Sequence, residues 1–266
     1  MFLTRKEWIG VLIKNCLWIV ISALCGVAVL LLLIVGKPFV WMVVLGGIAL
    51  FFGIVGFPIG YYAKGVAPLV VAGRKAINFE LRPMDFIILY DQKRSDPGNV
   101  VARPHRDVLI WLFTAYAMLR DNENALKTVD AMLSAVPARQ KAAVTVLRMA
   151  VFYDLGRKEE ADDLLAKLQS GPVDARTRRV IDIVMKTSRA EAHGEWEKLE
   201  AFYRPRLSLP PKKTTPFLLA DTHFELAIVC EKTGRPDEAK MHYTYCAEHG
   251  GQTYMQKKAA EWLKDR

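Results

Sequence analysis

Two uncharged runs dominate the start of the chain. Leu17–Gly36 and Phe39–Tyr62 carry no charged side chain, and only Lys37-Pro38 separates them. A bilayer core takes about 20 apolar residues of helix, and each run is long enough. The pattern predicts two transmembrane helices paired as an antiparallel hairpin over residues 1–62. A junction over 63–104 follows, punctuated by Pro68, Pro83, Pro97 and Pro104, with Phe86–Tyr90 as its apolar stretch. That stretch is expected to be a short helix. From His105 onward apolar residues recur at intervals of three and four, the period of amphipathic helices. Leu109, Leu112, Phe113 and Tyr116 make one stripe; Ala125, Val129 and Met132 make the next. The alternation continues through Val146, Met149 and Phe152, then Ala161, Leu165 and Leu168, and again to either side of Gly194 and of Gly234. The expected fold is all-α: about four helix pairs over 105–266, with a last helix at Thr253–Lys264 as a cap.

The pairs share a frame. Gly156-Arg157 is followed by Ala161, and Gly234-Arg235 by Ala239, so glycine and alanine recur at one identical offset. Ala125, Ala161, Leu199 and Ala239 occupy one repeated position, at intervals that lengthen slightly along the chain. A glycine can end a helix in the left-handed conformation. A small residue five positions later lets the next helix pack closely on it. One such pair cannot bury its own apolar face, so the unit needs neighbours.

This frame resembles the tetratricopeptide repeat (TPR) family, on Tyr116, Ala125 and Pro137 in the first unit, Gly156 and Ala161 in the second, Gly194 and Tyr203 in the third, and Ala227, Gly234, Ala239 and Tyr243 in the fourth. Arg120 stands where glycine is usual, Leu199 replaces alanine, and the spacing exceeds the family's. The resemblance implies a TPR-like α-solenoid whose first helices line a concave groove for a peptide or helix of another protein. Carried over position by position, that groove takes Asp107, Ile110, Trp111, Thr114 and Met118 from the first unit. The second gives Val146, Ala150, Tyr153 and Asp154, and the third Val184, Ser188 and Glu191. The fourth gives Asp221, Phe224, Glu225, Ile228 and Glu231. Trp111, Tyr153, Phe224, Glu225, Ile228 and Glu231 are the candidate anchors. The acidic character of the set suits a basic or mixed peptide better than a terminal carboxylate.

Charge adds an orientation. Arg5, Lys6 and Lys14 precede the first run, Lys64, Arg74 and Lys75 follow the second, and only Lys37 lies between. The positive-inside rule then places both termini and the repeat domain in the cytoplasm, with the chain integral to the cell (inner) membrane. Neither run holds an ionisable group, which argues against an ion or proton pathway. Gly53, Gly56 and Gly60, with Ala49, form a small-residue face for helix packing in the membrane. The net charge of +9 is scattered and accompanied by no nucleic-acid motif, and no phosphate loop, nucleophile elbow or zinc-protease motif occurs. His242, Cys246 and His249 share one helix face, but no fourth ligand accompanies them; no metal, cofactor, small-molecule substrate or catalytic residue is expected. The reading is of a membrane-anchored protein-interaction scaffold that recruits a partner through its groove. The alternatives are an accessory subunit of a membrane enzyme or secretion complex, contacting its partner through the hairpin, and an enzyme with a site near Asp85, Asp91 and His105.

Overall fold

A computed structural model of the chain describes Gly47 and residues 62–95 and 105–265. The chain divides into two compact units, Met1–Tyr62 and Ala63–Arg266, and the second carries the helices described below. A π-turn at Tyr62–Val66 leads into α1 (Ala67–Asn78) and α2 (Pro83–Ser95). The array continues with α3 (Arg106–Met118), α4 (Asn122–Ala135), α5 (Ala138–Asp154), α6 (Lys158–Ser170), α7 (Ala175–Lys186), α8 (Ser188–Ala192) and α9 (Trp196–Tyr203). Two short 3-10 turns precede α10 (Pro216–Lys232), α11 (Pro236–His249) and α12 (Tyr254–Lys264). Among the described residues every regular element is helical.

The hairpin turns repeat one geometry. Arg120, Gly156, Gly194 and Gly234 all have positive φ, at 56°, 72°, 70° and 74°. In each turn the next residue's N–H donates back five positions: Asp121 to Tyr116, Arg157 to Phe152, Glu195 to Ala190 and Arg235 to Cys230, at 2.8–3.0 Å. This is the Schellman ending, which satisfies carbonyls that a helix end otherwise leaves open. The residue after the turn then pairs with the one three positions on. Arg157 bonds Glu160, Arg235 bonds Glu238, Glu195 pairs with Lys198, and Asp121 caps and bonds Asn124. The recurrent Gly-Arg is therefore a turn glycine plus one half of a pair that pins the first turn of the next helix. The charges can be reversed, as at Glu195–Lys198, without losing the device.

The repeated position is buried in every pair. Ala125, Ala161 and Ala239 have no exposed surface and Leu199 has 1%. Ala161 joins Val146, Met149, Phe152, Leu165, Leu168, Ile181 and Val184 in one apolar core, and Leu199 forms another with Ala190, Tyr203, Leu226 and Val229. Burying a side chain such as Leu199 contributes about 1.5–3 kcal/mol. The third pair is irregular. Its first helix breaks at Thr187, whose φ of −117° and ψ of −100° separate α7 from α8.

The two ends of the array meet. α1 packs along α3 and also touches α10. A Cβ on Gly73 would lie 2.8 Å from the Cβ of Trp111 and 2.9 Å from Phe86, so only glycine allows that approach. In the α1–α2 linker, the carbonyl of Leu81 accepts from the Gln252 N–H at 2.8 Å. The turn before α12 thus docks on the segment before α2. Residues 67–78 and 83–95, expected as part of a separate junction, belong to the same compact unit as the hairpins.

The expected integral-membrane placement is corrected here. Among the described residues no helix is long and apolar enough to cross a membrane. The longest, α5 and α10, have 17 residues each and carry charged side chains, against about 20 apolar residues for a span. Apart from Gly47 and Tyr62, both uncharged runs lie outside the described residues, and so do Gly53, Gly56 and Gly60.

The turn geometry predicts the effect of Gly234→Ala. No atom lies within 4 Å of the added Cβ, so the loss should be conformational alone. Urea unfolding should show a destabilisation of about 1–2 kcal/mol, the cost of a left-handed L-residue. An unchanged midpoint would mean that the turn is not held in that conformation.

Candidate functional site

The hairpins and the closing helix surround a cleft of about 190 Å³. From α3 and its turn come Thr114, Met118 and Arg120; α5 ends on it at Asp154. The break at Thr187 turns Thr187, Ser188 and Glu191 inward. Tyr203 ends α9, α10 supplies Phe217, Asp221, Phe224 and Glu225, and α12 adds Tyr254 and Met255. On α10 residues 217, 221, 224 and 225 recur at three and four positions, which puts them on one face.

Charge in the cleft is unbalanced. Arg120 pairs with Asp154 at 2.9 Å, and its guanidinium lies 5.5 Å from the centre of the Tyr254 ring. Glu191, Asp221 and Glu225 bring three more carboxyls. Burial opposes the charge on Arg120, but Asp154, Glu191 and Glu225 together hold its pKa above the ordinary value. Burial also raises Asp154 against the pull of Arg120, although a quarter of its side chain remains open at 25%. Glu191 is raised by burial and by Asp154. Asp221 is pushed up to about 6, by burial first, with Glu191 adding to it against Arg206 and Arg120.

Glu225 is the extreme case. It is 8% exposed, and its Oε2 is buried without a hydrogen-bond partner. Burial pushes its pKa well above the ordinary carboxylate value, and Glu191 and Asp221 push it further. A buried polar atom without a partner costs about 1–3 kcal/mol. The cleft therefore grades from Asp154 at its open side to a carboxyl at its floor with one oxygen that nothing in the protein satisfies.

Of the residues expected in the groove, the cleft gathers Thr114, Met118, Asp154, Ser188, Glu191, Asp221, Phe224 and Glu225. Others lie elsewhere. Trp111 packs on α1 at Gly73. Tyr153 is buried and its hydroxyl donates to Asp162 at 2.6 Å. Ile228 is half-buried on α10, and Glu231 accepts from the Tyr243 hydroxyl and the Trp262 indole, each at 3.1 Å. Arg120, Tyr203 and Tyr254 are additions that the repeat frame does not supply. The one signal in the sequence is that Arg120 occupies a position where the other turns use glycine. Its left-handed backbone costs about 1–2 kcal/mol, and strain of this kind concentrates where a side chain is needed in one place. Asp162 joins two hairpins through Tyr153, Arg189 and His193. In the junction, Asp85 pairs with Arg82 at the surface.

A second cluster is distinct from the cleft. Ligand atoms of Cys230, Glu238 and His242 lie within 4.8 Å of one another. Glu238, however, already bonds Arg204 and Arg235, and both guanidiniums also bond Glu200, whose carboxyl they hold down at about 2. Two cations on the one carboxylate oppose a metal ion there. Burial pushes Cys230 up to about 11, and His223 down to about 4 with help from His242, its partner at 2.9 Å. Of the residues expected to share a face with His242, Cys246 donates to the Ala220 carbonyl and His249 lies exposed.

No family model matches this chain, and neither a curated protein nor a solved structure matches it. The resemblance to a tetratricopeptide-repeat protein with an N-terminal two-span hairpin is accordingly corrected. The physical departures are plain: the interval between repeats lengthens from Ala125 to Ala239, the third pair is broken at Thr187, and the first turn carries arginine. What stands, among the described residues, is an all-α array of helical hairpins.

The raised carboxyls set the sign of a pH effect. A carboxyl whose folded pKa exceeds its unfolded value favours the fold at low pH and loses that contribution as pH rises through the folded pKa. For Asp221 the window runs from about 4, its unfolded value, to about 6. Glu225→Gln and Asp221→Asn should therefore melt above wild type at pH 8, with the advantage vanishing toward pH 4. Thermal melts across that range check this; variants that melt lower at pH 8 would mean the carboxylates are compensated.

Proposed function

We propose that this chain is a protein-interaction module whose helical-hairpin array receives a segment of a partner in the cleft, acting by binding rather than turnover. The observation that carries the reading is the uncompensated carboxyl floor at Glu225, reached past Asp154 and Glu191 and walled by Phe217, Phe224 and Tyr254. Aromatic side chains ringed by charge make efficient binding anchors, and an unsatisfied buried acceptor is a ready contact for a donor that arrives from outside. Raised carboxyls also serve as general acids. Among the described residues, though, the cleft is lined by neither histidine nor cysteine, and no catalytic motif occurs in the sequence.

The reading is tested with photo-crosslinking residues at Phe217 and Thr187 inside the cleft and at Met241, exposed on α11. In cells, both cleft positions should yield one common protein adduct that Met241 does not. Ser188→Trp, which fills the cleft, should reduce it about tenfold. Adducts identical at all three positions, or insensitive to Ser188→Trp, would place binding elsewhere or nowhere.

A further inference from the structure

We propose that the floor of the cleft is a receptor for a single organic cation, the guanidinium or ammonium head of a basic side chain on a partner segment, received between Glu225 and Asp221. The inference rests on the binding reading above and names the chemistry it recognises.

An orphaned atom adds to the acid cluster. Glu225 is more than nine-tenths buried, lines the cleft, and keeps Oε2 without a partner. Two partly buried carboxylates elsewhere among the described residues are not left this way. Glu200 takes two guanidiniums, and Glu231 takes a hydroxyl and an indole. Among the residues lining the cleft, Arg120 faces four carboxyls and its ion pair is already made with Asp154, while Arg206 acts on Asp221 from behind the lining. A donor cation would satisfy the orphaned oxygen and offset the repulsion among Glu191, Asp221 and Glu225. The volume of about 190 Å³ exceeds several waters at about 30 Å³ each, enough for one extended basic side chain and too small for a folded domain. Tyr254 beside Arg120, with Phe217 and Phe224, offers aromatic walls, which guanidinium stacks on more readily than ammonium does.

The titrating neighbours are on every wall: Arg120 and Asp154 on the α3 and α5 side, Glu191 on α8, Tyr203 at the end of α9 and Arg206 just after it, Asp221 beside Glu225 on α10, and Tyr254 on α12. Burial and the neighbouring carboxyls favour the protonated form of Glu225, so a cation that binds its charged form competes with a proton. Binding and proton release are then one event, and affinity rises with pH.

The experiment is isothermal titration calorimetry on the full chain with butylguanidinium, butylammonium and acetyl-capped alanine heptapeptides centred on Arg, Lys or Glu. Two buffers of different ionisation enthalpy are used between pH 5.5 and 8. The expected result is binding of the cationic probes with proton release, tightening as pH rises. Glu225→Gln should weaken it about tenfold or more, as loss of a charge-assisted bond does, while its melting temperature does not fall. A purely structural role for Glu225 would lower the melting temperature and leave any affinity intact. Arg peptide tighter than butylguanidinium assigns the cation to a segment; equal affinity assigns it to a free small cation and counts against the segment reading alone. The inference is overturned if no cationic probe binds at millimolar concentration, if the Glu-centred peptide binds as well, or if Glu225→Gln binds unchanged. Cleft crosslinks that persist in Glu225→Gln would leave the interaction module standing and the cation receptor refuted.

Discussion

A carboxyl group buried with one oxygen unsatisfied is the constraint on which this structure turns. Water would solvate it, and the chain could have supplied a donor as it does for Glu200 and Glu231. Instead α10 carries Glu225 into the centre of the array, where three other carboxyls and one arginine meet it. Proteins tolerate a buried carboxyl without a hydrogen-bond partner poorly, even when burial holds it in the neutral form. Its presence here identifies a place where the fold gives up stability, and binding is the function that such a place can serve.

The rest of the architecture can be understood as what holds that face in position. Four positive-φ turns reverse the chain with one geometry, and a charged or capping pair after each turn fixes the next helix. Small buried residues set the distance within three pairs, and Leu199 takes the same place in the remaining one. Closure comes from outside the repeats: α1 lies against Trp111 through Gly73, and Leu81 bonds the turn before α12. α12, packed on α11 and α10, brings Tyr254 beside Arg120 and lines that side of the cleft.

Much of this is legible in local pattern. The period of three and four locates the helices from Arg106 on, the glycine-alanine frame locates the turns, and the same frame puts Asp154, Glu191, Asp221 and Glu225 on the inner side. Those properties depend on residues a few positions apart. The closure is not legible, because the pairing of residue 73 with 111 and of 81 with 252 is a matter of three-dimensional packing. Position in the repeat therefore assigns Trp111 to a groove, when it packs against α1 at Gly73. The break at Thr187 and the tolerance of Arg120 at a glycine position likewise depend on partners distant in sequence. The uncharged runs carry a membrane expectation on length and composition alone, and no described helix matches it.

The central claim is that Glu225 stays protonated at pH values where ordinary glutamates are ionised. The direct measurement is carbon-13 NMR of side-chain carboxyls in glutamate-labelled protein, with the Glu225 resonance assigned by its disappearance in Glu225→Gln. The account predicts a titration displaced well above the ordinary glutamate value of about 4.3. It also predicts coupling to that of Asp221. A Glu225 resonance titrating near the ordinary value would mean a solvated or compensated carboxyl, and the cleft would lose the feature on which its proposed role depends.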